Sequence, residues 1–143
     1  MKVLLEWFLV IAWSMIIWAG ATLFFVYAGP YVLVATSSPR FFLIFVALEA
    51  VTALLIFLAV FFYIKIDRSK KAVLKCGIAG SAVGLFLDTF SLWNHSALFS
   101  RLAHDQMMSF TIWMSFAYSL FLLIPSLMYV LQQKRLKTPT IQQ

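Results

Sequence analysis

Two acidic residues interrupt long apolar runs of this sequence. Glu49 is the one charged residue in positions 41–64, and Asp88 is the one charged residue in positions 76–93. A charged side chain at the centre of a membrane-spanning helix costs about 2.5–3.5 kcal/mol on insertion scales, so such residues commonly serve function. Two acids at one level would also repel, unless one is protonated or both share a cation. The pair therefore predicts a site for a proton, a metal ion or a cationic ligand.

The place of each acid within its run predicts a common depth. Glu49 follows Phe41 by eight residues, and Asp88 precedes Trp93 by five. At 1.5 Å per helical residue, the acids lie about 12 Å and about 8 Å from the same side of a membrane. We therefore expect a polar pocket in the outer half of a bundle, above an apolar inner half. The alternative interpretation is that each acid only accepts hydrogen bonds and fixes the helix register.

Other polar residues are predicted near the level of the two acids. The expected ligand-binding set is Glu49, Asp88, Ser91, His95, Ser115 and Tyr118. His95 follows Ser91 by one helical step, which would place a pH-sensitive group at the mouth of the pocket.

No catalytic, metal or cofactor motif is visible. His95, His104 and Asp105 match no recognised metal-ligand spacing, and the single Cys76 excludes a CxxC pair. We find no GxSxG, HExxH, P-loop or dinucleotide-binding pattern. The sequence therefore predicts no cofactor and no metal site of a recognised ligand pattern, and it does not favour an enzyme.

Small residues precede Asp88 at helical spacing. Gly77, Gly80 and Gly84 share one face, and the last two form a GxxxG pattern that permits close helix packing in a membrane. The pattern does not distinguish contact within the chain from contact between chains. We therefore expect that this face could bind a second copy or a partner subunit.

The elements that must position these residues are membrane-spanning helices. Of the 143 residues, 64% are hydrophobic and 11% are charged, against about 25% charged in a soluble domain. The apolar runs predict an all-α, four-helix bundle in one transmembrane domain, because a spanning helix needs about 20 apolar residues. The predicted spans are 7–27, 41–64, 72–93 and 107–131.

The predicted connections are short. Pro30 and the residues that follow it are expected to form the first loop, and positions 94–106 to contain a short interfacial helix. Residues 132–143 are expected to form a polar tail.

Basic residues predict the orientation of the bundle. Nine of the 11 lysines and arginines fall on one side of a four-span chain, and Arg40 and Arg101 fall on the other. Cytoplasmic loops carry this excess, so both termini are expected in the cytoplasm, with the chain in the cell membrane. Because the positive charge clusters at the ends of apolar runs, a nucleic-acid partner is not expected.

The stretch LFLDTFSLWN (85–94), followed by FAYSLFLLIPSL (116–127), resembles small four-helix bacterial membrane proteins grouped as a domain of unknown function. The resemblance implies a bacterial cytoplasmic-membrane setting and the same number of helices. It implies no activity and no site residues.

Together these features favour a small membrane protein that binds a cation or a small cationic or amphipathic ligand, with proton-coupled transport as an extension. One alternative is an accessory subunit of a membrane complex. Another is a membrane-embedded lipid-modifying enzyme with Asp88 and His95 as acid and base.

Overall fold

The computed structural model describes residues 2–69 and 71–137. Its helices are α1 (Lys2–Val32), α2 (Phe41–Ile66), α3 (Ala72–Trp93), α4 (His95–Leu98) and α5 (His104–Lys137). The described part of the chain contains no strand, and α1, α2, α3 and α5 are long and apolar enough to cross a membrane. The predicted all-α fold with four long helices is confirmed, and a short helix lies between the third and fourth of them.

The first helix is longer than predicted. Pro30 was expected in a loop, but α1 continues through it to Val32. Proline lacks a backbone N–H and so removes one helical hydrogen bond. A helix tolerates this loss near its end if the next backbone hydrogen bond still forms. The turn does close, because the Leu33 N–H donates to the Gly29 carbonyl at 2.8 Å.

The last helix is also longer than predicted. It begins at His104 rather than at position 107 and continues to Lys137, so the first part of the expected polar tail is helical. Gln, Lys and Arg are good helix formers, which lets a helix extend beyond its apolar section. The remaining tail positions, 138–143, lie outside the described residues.

Helix α3 is the centre of the bundle, since it packs on α1, α2 and α5. Its three glycines face α5. The residues that a Cβ on Gly77, Gly80 or Gly84 would meet are Pro125, Phe121 and Tyr118, respectively. The glycine face that could have bound another chain is therefore covered by α5 of the same chain.

Helices α1 and α3 run parallel. Contacts between side chains lie at three levels. Glu6–Lys75 and Trp18–Asp88 join α1 to α3, and Tyr31–Arg101 joins α1 to the segment that follows α4. The two ends of the bundle are named here after Lys75 and Arg101. The acid of the central level therefore lies in the middle of the bundle.

Two apolar clusters close the ends of the bundle interior. The Lys75-end cluster consists of Val10, Ile56, Val60, Tyr63, Ala72, Val73, Cys76, Ala79 and Phe121. The Arg101-end cluster consists of Phe25, Leu33, Phe99, Phe110, Trp113 and Met114. In the second cluster, the ring centroids of Phe25 and Trp113 are 4.3 Å apart, and those of Phe99 and Phe110 are 4.9 Å apart.

A polar network lies beyond the Lys75-end cluster. Lys75 pairs with Glu6 of α1 and, at 3.1 Å, with Asp67. Asp67 also accepts hydrogen bonds from the Tyr63 hydroxyl at 3.0 Å and the Ser69 backbone N–H at 2.9 Å. Burial alone would raise the pKa of Asp67, but the hydrogen bonds from Ser69, Lys75 and Tyr63 outweigh burial and hold that pKa below its ordinary value. The network fixes α1, Asp67 and Ser69 against the start of α3.

Candidate ligand-binding cavity

A cavity of about 450 Å³ lies in the middle of the bundle, between α1, α2, α3 and α5. It touches both apolar clusters, since Phe121 belongs to the Lys75-end cluster and Phe25 to the Arg101-end cluster. Pockets for small molecules typically measure about 300–1,000 Å³. The cavity is therefore large enough for a small organic ligand.

The wall of the cavity is mostly apolar. Helix α2, for example, contributes Leu48, Val51, Leu55 and Ile56. Among the described residues that line it, Asp88 is the one charged group. An apolar wall with a few convergent polar groups is typical of sites that orient an organic molecule.

Asp88 is held by two aromatic donors. The Trp18 indole N–H donates to Oδ1 at 2.8 Å, and the Tyr118 hydroxyl donates to Oδ2. Asp88 is 7% exposed, so these bonds replace water around a polar group that is costly to bury without partners. An ionised carboxylate can accept about four hydrogen bonds, so it can still accept bonds from a ligand. Trp18 and Tyr118 also line the cavity and would flank that ligand.

A second polar point lies on α2. The Trp113 indole N–H donates to Thr52 Oγ1 at 3.1 Å, and that hydroxyl donates to the Leu48 carbonyl at 2.8 Å. Because its one proton is used, Thr52 offers only an acceptor to the cavity. Asp88 and Thr52 therefore both offer acceptors to the cavity, which suits a ligand that donates hydrogen bonds.

Of the six predicted site residues, Asp88 and Tyr118 line the cavity and the other four do not. Ser91 and Ser115 donate to carbonyls of their own helices, at Leu87 and Thr111. Hydroxyls on a helix commonly satisfy themselves in this way.

His95 does not continue the face that carries Asp88. Helix α3 ends at Trp93, and the Asn94 side-chain amide donates to the Phe90 carbonyl at 3.0 Å. His95 then begins α4 and is exposed, with Nδ1 2.9 Å from the Leu92 carbonyl. The expectation that His95 extends the Asp88 face is therefore wrong, because the helix ends first.

Glu49 is buried at a different place. It is 5% exposed, and neither of its carboxyl oxygens has a hydrogen-bond partner among the described residues. Its helical neighbours Phe45 and Thr52 contact α5, through Phe116 and Trp113. This spacing places Glu49 on the face of α2 that packs on α5. Asp88 lines the cavity and Glu49 does not, so the structure does not bring the two acids into one site.

The predicted opening of the pocket toward the Arg101 end is also corrected. The Arg101-end cluster covers the cavity there with packed rings, including Phe25, Phe110 and Trp113. Polar residues on helices suggested a water-filled mouth, but the loop residue Phe99 and the first turns of α5 fill that space.

Two residues that complete the site, Trp18 and Trp113, were missed. Each donates a hydrogen bond within the cavity, but from the sequence alone each could equally have faced lipid. The one available signal for Trp18 was a tryptophan placed deep inside an apolar run rather than near its end.

The described residues offer no ready metal site. Within residues 2–69 and 71–137, no group of three or more His, Cys, Asp or Glu side chains could hold a metal ion. A carboxylate such as that of Asp88 can accept charge-assisted hydrogen bonds from a cationic group.

The chain is similar in sequence to a bacterial protein. The chain is 53% identical over 81 residues to the uncharacterized protein YnzE of Bacillus subtilis, an alignment that covers 57% of this chain and 80% of the relative. No family model matches the sequence. No solved structure matches it.

Proposed function

Because this chain belongs to the same family as YnzE, whose name carries no activity, we propose its function from the cavity alone. The protein is a membrane protein that binds a small amphipathic molecule with a cationic, hydrogen-bond-donating head. The observation that carries the proposal is Asp88: a buried carboxylate in a large apolar cavity, fixed by two donors and able to accept more.

The bundle is inserted in the cell membrane with the Lys75 end in the cytoplasm. Lys65, Arg68 and Lys71 lie at that end with Lys75, and this bias supports the orientation. Labelling of Ser96→Cys and Arg68→Cys in intact cells with an impermeant thiol reagent tests it, because native Cys76 is buried. Ser96→Cys is expected to react from outside and Arg68→Cys only after lysis. The reverse pattern would overturn the orientation.

Binding, rather than transport or catalysis, is the activity that the geometry favours. Transport would need a path through a packed apolar cluster at either end of the cavity. Acid–base catalysis by Asp88 and His95 would need both groups at one substrate, and His95 is exposed beyond the end of α3.

A long-chain primary alkylamine with bromine atoms on its chain is the probe that tests the proposal. Bromine quenches tryptophan fluorescence on contact, and Trp18 and Trp113 line the cavity. The protein is placed in lipid nanodiscs with Trp7, Trp13 and Trp93 replaced by Phe, which leaves the two cavity tryptophans of the five in the sequence. Trp7 and Trp93 are 45% and 81% exposed and would report probe that is merely dissolved in lipid, and Trp13 does not line the cavity.

The matched variants are Asp88→Asn and Asp105→Asn. A hydrogen bond to a charged group contributes about 1.5–3 kcal/mol, so Asp88→Asn is expected to weaken binding about ten- to hundredfold. Asp105 is exposed at the start of α5 and its replacement should leave binding unchanged. Equal quenching in the wild type and Asp88→Asn would refute the proposal.

A further inference from the structure

The cavity has a side as well as two ends. Among its lining residues, Ile16 and Phe24 of α1 are 65% and 46% exposed, and Val51 and Leu55 of α2 are 55% and 60% exposed. All four lie in the middle of their helices, far from either end of the bundle. These side chains are therefore exposed on the lateral surface of the bundle, at the depth of the hydrocarbon core of a membrane.

A gap separates α1 from α2 on this side of the bundle, and it is called the seam here. Helix α1 packs mainly on α3, and α2 packs mainly on α5, while α1 and α2 make little contact with each other. Gly20 lies on this side of α1, exposed and lining the cavity. A Cβ at Gly20 would meet no atom within 4 Å, so the backbone there borders open space.

The ends of the cavity offer no comparable route. The Lys75-end cluster includes fully buried Val10 and Val60, and the Arg101-end cluster includes Phe25 and Phe99, which are 2% and 4% exposed. A hydrated ion would have to pass one of these clusters. A molecule dissolved in lipid would have to pass only the seam beside Gly20.

We propose that the ligand is a single-chain amphiphilic amine that enters the cavity sideways from the bilayer, through the seam between α1 and α2. This inference rests on the proposed binding function and adds the ligand class and the route. An amine supplies the positive charge and the N–H donors that the Asp88 carboxylate and the Thr52 hydroxyl can accept. The apolar wall and the seam accommodate one hydrocarbon chain. That chain is already out of water when it is in the bilayer, so it loses no hydrophobic stabilisation on entering the cavity.

The rate of binding tests the route. In the quenching assay with the brominated alkylamine, Gly20→Phe narrows the seam, and Leu23→Phe is the matched control. Leu23 is 54% exposed on the same helix but does not line the cavity. We expect Gly20→Phe to slow both association and dissociation at least about tenfold. The dissociation constant should change less, because the ligand passes the same narrowed seam on entering and on leaving.

A second measurement on the wild type does not depend on any variant. At a fixed total amount of probe, added empty lipid dilutes the amine within the bilayer. Sideways access predicts that the association rate follows the amount of amine per lipid. A rate that follows the aqueous amine concentration would overturn the route, and so would Gly20→Phe rates equal to those of Leu23→Phe.

The two proposals fail differently. Wild-type binding with unaltered Gly20→Phe rates would refute the seam and leave the Asp88 site standing. No quenching by the amine in the wild type would refute both. Equal quenching by a brominated fatty acid of the same length would refute the amine as the ligand class, because Asp88 should repel a second carboxylate.

Discussion

Replacing Gly84 with alanine is expected to destabilise the bundle by displacing the partner of the buried acid. A Cβ at Gly84 would lie 2.6 Å from the Tyr118 hydroxyl oxygen and 2.7 Å from its Cε1 atom. Neither distance is tolerable, so the Tyr118 side chain must move. That movement separates its hydroxyl from Asp88, to which it donates a hydrogen bond.

The size of the effect follows from two costs. Overpacking a well-packed interior costs about 1–3 kcal/mol. An interhelical hydrogen bond in a membrane bundle contributes about 0.6 kcal/mol on average and up to about 1.7. We therefore expect Gly84→Ala to lower the free energy of unfolding by about 2–4 kcal/mol.

Reversible unfolding in mixed detergent micelles measures this loss, with Gly20→Ala as the control. A Cβ at Gly20 meets nothing, and alanine is up to about 1 kcal/mol better than glycine within a helix. Gly20→Ala should therefore be neutral or slightly stabilising. In a Tyr118→Leu background, which lacks the ring and the hydroxyl, Gly84→Ala should cost about 1 kcal/mol or less. Equal effects of Gly84→Ala and Gly20→Ala would refute this packing.

Three further predictions concern the other buried charges. Lys75→Met should lower the free energy of unfolding by about 3–5 kcal/mol, because it leaves the carboxylate of Asp67 buried and unpaired; a loss below about 1 kcal/mol would contradict the network. Folding lowers the pKa of Asp67, so ionised Asp67 stabilises the folded protein. This stabilisation is complete above the ordinary aspartate pKa of 3.8 and is lost as the pH falls through the lower pKa of the folded protein. Acid unfolding curves should show this loss in the wild type and not in Asp67→Asn. Glu49→Leu should raise the free energy of unfolding by about 1–3 kcal/mol, because it removes a buried carboxyl group that has no hydrogen-bond partner among the described residues; a loss of stability would show that Glu49 has a partner.

The helices and the glycine face were predictable because they depend on local rules. Four uncharged or nearly uncharged runs of sufficient length predict four spanning helices whatever their order in space. Gly80 and Gly84 predict a close helix contact, which the structure assigns to Phe121 and Tyr118 of α5.

The composition of the site was only half predictable. Asp88 was identified because an acid in an apolar helix has to face inward. Its partner Trp18 lies 70 positions away, and only the parallel register of α1 and α3 brings the two together. The facing of Glu49 could not be derived, because α2 is apolar on all sides and shows no polar face.

The cavity itself was beyond sequence reasoning. Its volume depends on how far α1 and α2 stand apart, which is set by the packing of each on other helices. The predicted opening of the pocket at the Arg101 end was wrong for a similar reason. Phe99, which covers that end of the cavity, lies outside the four long helices, and its packing could not be derived from their sequences.

Native mass spectrometry of the protein, released from membranes in mild detergent, tests whether Asp88 holds a ligand. We expect the wild-type chain to retain a small nitrogen-containing amphiphile that Asp88→Asn releases. Loss of the added mass in Asp88→Asn, but not in Asp105→Asn, would place the ligand at the buried carboxylate. A wild type without added mass, or the same mass on Asp88→Asn, would show that Asp88 does not hold such a ligand.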